Sequence, residues 1–193
     1  RSFRRRKGFS LMAESKSAYS VAGKLGKLET HTFVVWVDNE SGVLARVVGL
    51  FSGRGYNIDS LAVAEVDKKN NLSRITIVTT GTAQVIAQIR LQLKKLIPVH
   101  KVADFLRDDK KIIYREMALF KVVSSLKKQK KAKKLCNKYN SVIVDKTNKS
   151  IVVQVTALKS EIDKLVNNLG PMGLASVSRT GVVAMTKGVA VFK

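Results

Sequence analysis

Residues able to do covalent or metal chemistry are scarce in this 193-residue chain. The two histidines, His31 and His100, each sit inside a strand-like run with no HxH, HExxH or CxxC spacing around them, so neither a zinc site nor a histidine base is expected. Cys136 is the one thiol; flanked by Leu135 and Asn137, it reads as a small core residue, and no disulfide can form within the chain. Asp108 and Asp109 make an adjacent carboxylate pair, but in a polar stretch where water is the expected neighbour. No glycine-rich nucleotide signature follows a strand pattern. The expectation is a chain with no catalytic residue, no metal ligand and no cofactor of its own.

The segment 38–42 is the place where non-covalent chemistry is plausible. It joins the end of an apolar strand to the start of a helix, where unpaired backbone N–H groups and the helix dipole favour an anion such as a carboxylate. Gly42 lacks a Cβ, so a ligand can come close to the backbone. Asn39 offers both a donor and an acceptor, which suits the carboxylate and ammonium of a free amino acid. The same residues also serve as a plain helix cap, with Ser41 at the N-cap.

The elements that must position this loop follow from periodicity. Residues 31–37 are continuous apolar strand; Val43, Leu44, Val47, Val48, Leu50 and Phe51 recur at helical spacing, and Gly53 and Gly55 stop that helix. Strands are expected over 57–66 and 74–79, around a polar hairpin at 67–71. A helix opening at Gly81 and Thr82 carries Val85, Ile86, Ile89, Leu93 and Leu96 on one face, and a strand over 98–103 follows. The order repeats more weakly: strand 116–123, helix 125–139, strands 141–145 and 150–157, helix 160–169, strand 174–185. The fold expected is α+β, two ferredoxin-like βαββαβ domains over 31–107 and 112–193, joined near 107–111.

Residues 1–30 do not read as part of a fold. Arg4, Arg5, Arg6 and Lys7 cluster there among serines, with only Glu14 and Glu29 acidic: the composition of a basic leader or transit remnant, expected to direct the chain to an organelle, a plastid ahead of a mitochondrion. The net charge of +22 is uneven, with +6 in residues 1–30, +3 in 31–110 and +13 in 111–193. Six of the eight residues 127–134 are lysine, a pattern fitting a solvated helix face or an acidic partner. A basic RNA-binding protein would need aromatic side chains on an exposed sheet; Tyr114, Phe120 and Tyr139 are too few and too irregular, so no nucleic-acid partner is expected. No apolar run approaches the roughly 20 residues of a membrane span, and no membrane partner is expected.

The run DNESGVLARVVGLFSGRGYNIDSLAV over residues 38–63 resembles the ACT domain of the acetohydroxyacid synthase (acetolactate synthase) regulatory small subunit, whose pattern there is NESGVLxRVxGLFSxRGYNIxSL. Further likeness lies at Leu72 to Ile77, at Gln92, Leu93 and Leu96, at Arg115 and Glu116, and at Arg179, Thr180, Gly181 and Val182, so that it covers about residues 31–190. The resemblance implies a non-catalytic regulatory subunit that activates a thiamine-diphosphate-dependent catalytic subunit and confers feedback inhibition by valine in branched-chain amino-acid biosynthesis. It implies a homodimer in which two ACT domains pair side by side with valine at their interface. Asn39 and Gly42, with Val43 and Leu44 adjacent, would come from one protomer, and Asn57 and Ile58 from the other. An ACT-domain amino-acid sensor serving another enzyme is the alternative; the match through Asn57 and Ile58 and the second half stand against it.

Overall fold

The computed structural model describes residues 26–107 and 109–191. β1 (Leu28–Asp38), α1 (Val43–Ser52), β2 (Ser60–Asp67), β3 (Leu72–Thr82), α2 (Ala83–Lys95) and β4 (Val99–Leu106) make the first βαββαβ unit. β5 (Ile112–Val123), α3 (Leu126–Cys136), β6 (Val142–Lys146), β7 (Ser150–Ala157), α4 (Lys159–Leu169) and β8 (Leu174–Thr186) make the second. Each unit folds into a four-stranded antiparallel sheet, ordered β2-β3-β1-β4 and β6-β7-β5-β8. The expected pair of ferredoxin-like domains is therefore what the chain forms.

The continuous apolar run of β1 has a direct structural cause. Successive strand side chains point to opposite faces, and both faces of β1 are covered. Phe33, Val35 and Val37 meet Val43, Val47, Leu50 and Phe51 of α1 and Ile86, Ile89 and Leu93 of α2. Val34, between them, faces the other way and packs with Ala103 of β4, Ile112 of β5 and Ala184 of β8. The back of the first sheet is thus closed by the second domain. The second domain has its own core, in which Phe120 and Val122 of β5 and Val153 and Val155 of β7 lie against Ile162, Leu165 and Leu169 of α4 and Ala132 and Cys136 of α3.

Several boundaries differ from expectation, each for a tertiary reason. β1 starts at Leu28, so 28–30 belong to the fold rather than to the leader. Those residues pair with Thr80, Gly81 and Thr82 of a β3 that runs longer than expected, a partner that polar Glu29 and Thr30 do not reveal by themselves. Residues 1–25 of the leader lie outside the described residues, as does Asp108 of the carboxylate pair. β5 starts at Ile112 instead of 116, because Ile112 and Tyr114 point into the inter-domain cluster. Helix α3 ends at Cys136 and tightens into a 3-10 turn over Asn137–Tyr139. Its buried side is Gln129, Ala132 and Cys136, with Gln129 donating to the carbonyls of Ser124 (2.9 Å) and Asn148 (3.3 Å), so the lysines of 127–134 all lie on the exposed side.

Burial pushes the Cys136 thiol up to about 11. At pH 8 such a group is only about 0.1% thiolate, the reactive form. Maleimide is expected to leave the native chain unmodified over an hour at pH 7.5 and to label it within minutes in urea. Rapid labelling without denaturant would show that α3 does not pack as described.

Candidate functional site

The loop after β1 is held at both ends. The Asp38 amide donates to the Pro98 carbonyl at 3.0 Å and the Asn39 amide to the Asn71 carbonyl at 2.8 Å. Asn39 Oδ1 accepts from Ser73 Oγ at 3.0 Å, and Asn71 Nδ2 donates to the Asn39 carbonyl at 3.3 Å. With its carboxamide oxygen engaged, Asn39 offers chiefly its NH₂ to a ligand. The histidines are tied to carboxylates, His100 Nε2 to Asp38 Oδ1 and His31 Nδ1 to Asp104 Oδ1, both at 2.6 Å, and stand in strands β4 and β1 as expected.

Helix α1 does not use Ser41 as its N-cap. Gly42 occupies that position at φ 85°, left-handed, and no side chain caps the helix. The Val43 amide turns back to the Glu40 carbonyl at 3.3 Å, while the Leu44 and Ala45 amides have no intrahelical partner and no side-chain cap. A Cβ built on Gly42 would meet nothing within 4 Å, so the space beside these amides is open. Val43 is buried in the first core with its amide engaged by Glu40; Leu44 is exposed and presents its side chain. Of the residues expected around a ligand, Val43 is thus placed with its side chain in the core and its amide engaged within the chain.

Asn57 and Ile58 lie in the turn before β2, not within the strand as expected. Thr79 Oγ1 donates to the Asn57 carbonyl at 2.6 Å, Asn57 Nδ2 donates to Asp59 Oδ1 at 2.6 Å, and Thr80 Oγ1 donates to Asp59 Oδ2 at 2.7 Å. These local bonds replace ladder pairing, and Ile58 packs half-buried on the first core. Asn39 is bonded to Ser73 and Asn57 to Thr79, six residues further along β3, which is roughly 20 Å at strand rise. Within one chain the structure does not bring 39–44 and 57–58 together. Strand β2 between them is an edge strand, with Val63 and Val66 exposed.

Residues with no role assigned from the sequence form the joint between the domains. The Val182 amide donates to Ser60 Oγ at 2.9 Å, and Arg74 donates to the Ala184 carbonyl while burial lowers its pKa. Gly181 sits at φ 80°, where a Cβ would stand 2.7 Å from Ser60 Oγ and 3.2 Å from the Leu61 carbonyl. Beside the joint, buried Glu116 accepts from Arg179 Nε and Nη2, both at 2.7 Å, and Arg179 Nη1 reaches Asp163 at 2.7 Å. The bond to Glu116 raises the Arg179 pKa against the opposing effect of burial. Burial acts to raise the Asp163 pKa, but the bonds from Arg179 and Lys159 outweigh it and lower it. Such a pair is costly to break because it leaves a buried charge alone; it holds β5, β8 and α4 together.

Known proteins bear on this arrangement directly. Residues 33–101 match the family described as the AHAS small subunit-like ACT domain, and residues 115–188 the family described as the small subunit of acetolactate synthase. The acetolactate synthase small subunit of Mycobacterium bovis is 36% identical over 160 residues, 83% of this chain and 94% of that protein. That of Haemophilus influenzae is 38% identical over 155 residues, 80% and 93% of the two chains. The crystal structure of the Thermotoga maritima acetolactate synthase small subunit superposes with a TM-score of 0.75 at 32% identity, covering 83% of this chain and 99% of that one. A pair of βαββαβ domains with this loop, this edge strand and matches of this length leaves one conclusion: the chain belongs to the family of acetolactate synthase small subunits.

Proposed function

We propose that the chain is the regulatory subunit of an acetolactate synthase, raising the activity of a thiamine-diphosphate-dependent catalytic subunit and making it sensitive to valine. The observation that carries the valine reading is the separation of the two half-sites. In antiparallel pairing of two β2 edges about a two-fold axis, the Ser60 end of one strand faces the Asp67 end of the other. Asp67 lies opposite Leu72, beside the 39–42 loop. The partner's turn before β2 then meets this chain's α1 N-terminus, and the reverse contact is made at the other end. The polar end of valine would bond Asn39, the partner subunit's Asn57 and the open amides at Gly42, while Leu44 and the partner subunit's Ile58 take the isopropyl group. The exposed apolar Val63 and Val66 supply what such an interface would bury.

Valine must bind one state of the complex better than the other to act at all. A coupling of about 1–3 kcal/mol, roughly 5–150-fold, is the usual range. The test is reconstitution with the catalytic subunit, measuring acetolactate formation with and without valine. Turnover should rise severalfold on adding the chain, and valine should then reduce it in a saturable way. No change in rate on reconstitution overturns the regulatory reading; a rise that valine does not touch overturns the effector reading alone.

A further inference from the structure

Between the two domains of a single chain lies a cavity of about 470 Å³, within the usual range for small-molecule sites. Its walls come from the back face of the first sheet (Thr32, Val78), the turn carrying Ile58, the linker residue Arg107, Val182 of β8 and the start of α4. It is distinct from the 39–44 loop, which lies at the far end of β1 and β3.

The charges around this cavity are unequally answered. Both Asp59 oxygens are taken, by Asn57 Nδ2 at 2.6 Å and Thr80 Oγ1 at 2.7 Å. Lys159 bonds Asp163 at 3.2 Å. The Arg107 backbone amide is tied to the Thr30 carbonyl at 2.9 Å, which fixes where the residue stands, yet its guanidinium has no hydrogen-bond or ion-pair partner among the described residues. The start of α4 adds the Lys159 and Ser160 amides as donors, while the Glu161 amide returns to the Leu158 carbonyl at 2.9 Å and the Glu161 carboxylate accepts from the Leu158 amide at 2.9 Å. Ile58, Val78 and Val182 give the same space an apolar floor.

We infer that this inter-domain cavity binds a small carboxylate with an apolar body, its headgroup on Arg107 and its body on Ile58, Val78 and Val182. One unanswered guanidinium presents one planar fork, which fits a carboxylate edge to edge. The fork would also fit a phosphate, but the apolar floor gives inorganic phosphate nothing to bury, and a cationic ligand would face the unpaired Arg107. A ligand held there touches both domains at once, so its binding stiffens their relative placement.

The test uses the whole purified chain, ¹⁵N-labelled, titrated with pentanoate, with pentylamine and with inorganic phosphate while the amide signals of Lys159 and Ser160 and the Arg107 Nε signal are followed. Pentanoate should give saturating shifts at these positions, pentylamine none, and phosphate only weak non-saturating ones. Arg107→Gln, at an exposed side chain whose loss should not harm folding, should weaken pentanoate at least tenfold, while Arg90→Gln on the outer face of α2 leaves it unchanged. Saturable binding that is equal for pentylamine, binding unaltered in Arg107→Gln, or no saturable shift with pentanoate each overturns the assignment. Asn57 and Ile58 line this cavity and also belong to the proposed effector site, so Gly42→Asp is titrated beside Arg107→Gln: pentanoate binding should survive the first and weaken in the second, which keeps a failure here distinct from a failure of the valine reading.

Discussion

Gly42→Asp is expected to remove the valine response of the reconstituted enzyme while leaving the chain folded and still able to activate. The folding cost is small for identifiable reasons. A Cβ at this position meets no atom within 4 Å, so there is no clash to relieve. The left-handed φ of 85° costs an L-residue about 1–2 kcal/mol, and Asp is among the residues that adopt it more readily. At an N-cap, a carboxylate also bonds first-turn amides. That last property is what removes the effector: the new carboxylate occupies the donors a valine carboxylate would use. It also repels a ligand carboxylate by about 1 kcal/mol at 4 Å in water and about 4 kcal/mol at an effective dielectric near 20. Repulsion alone therefore weakens valine by roughly 5-fold to several hundred-fold. Gly42→Asn separates charge from size, since it has the same shape and the same tolerance of φ, and should keep a measurable response. The measurement is the valine inhibition curve for the wild type and both variants, with melting temperature as the folding control. An unaltered curve for Gly42→Asp removes the 39–44 loop from the effector site.

How much of this was legible in the sequence depended on how local each signal is. The β1 run, the periodic faces of α1 and α2 and the paired strands β6 and β7 all announce themselves within ten or so residues, and their types hold in the structure. What failed was set by partners far along the chain. Residues 112–115 fell outside the strand expected from 116, next to a charged linker; they are strand because Val34, Ala103 and Ala184 wait on the other side. Asn57 and Ile58 looked like strand because they are apolar-flanked; Thr79, 22 residues on, takes the Asn57 carbonyl and bends the chain out of the ladder. Ser41 had the right chemistry for a cap, but the left-handed turn places Gly42 there instead. Gln129, a polar residue amid lysines, gives no sign that it is buried until its acceptors at Ser124 and Asn148 are in place.

The loop proposed to bind the effector was recognisable because a long family pattern runs through it; the joint was not. Ser60 and Val182 stand 122 positions apart, and Arg74 and Ala184 stand 110 apart. No periodicity links residues so distant. Yet the joint begins two residues after Ile58, so the turn that would receive valine from a partner subunit leads straight into the contact with the second domain. Strand β2 starts at Ser60, and the hydroxyl at its first position is the acceptor for β8. A displacement of that turn cannot be absorbed before it reaches the joint.

Gly181→Ala tests that placement and has the largest expected effect on stability. The residue combines a φ of 80° with a Cβ position 2.7 Å from Ser60 Oγ, closer than non-bonded atoms tolerate. The dihedral costs about 1–2 kcal/mol. Moving Ser60 aside breaks its bond with the Val182 amide, which is buried, adding about 1–3 kcal/mol for an unsatisfied donor. The total is about 2–5 kcal/mol, which for a chain of this size lowers the melting temperature by on the order of 5–15 °C. Gly188→Ala is the matched control: its φ is 68°, but nothing lies within 4 Å of its Cβ, so only the dihedral cost applies. Calorimetry should therefore show a substantially larger fall for Gly181→Ala than for Gly188→Ala, and protease should cut the 107–111 segment faster in the first variant, because the domains no longer hold each other. In the reconstituted enzyme the same variant should bind valine but transmit less inhibition, since the residues of the proposed effector site are intact and only the contact behind them has changed. Equal melting temperatures for the two alanine variants would mean that Gly181 does not touch Ser60 and that the two domains are joined elsewhere.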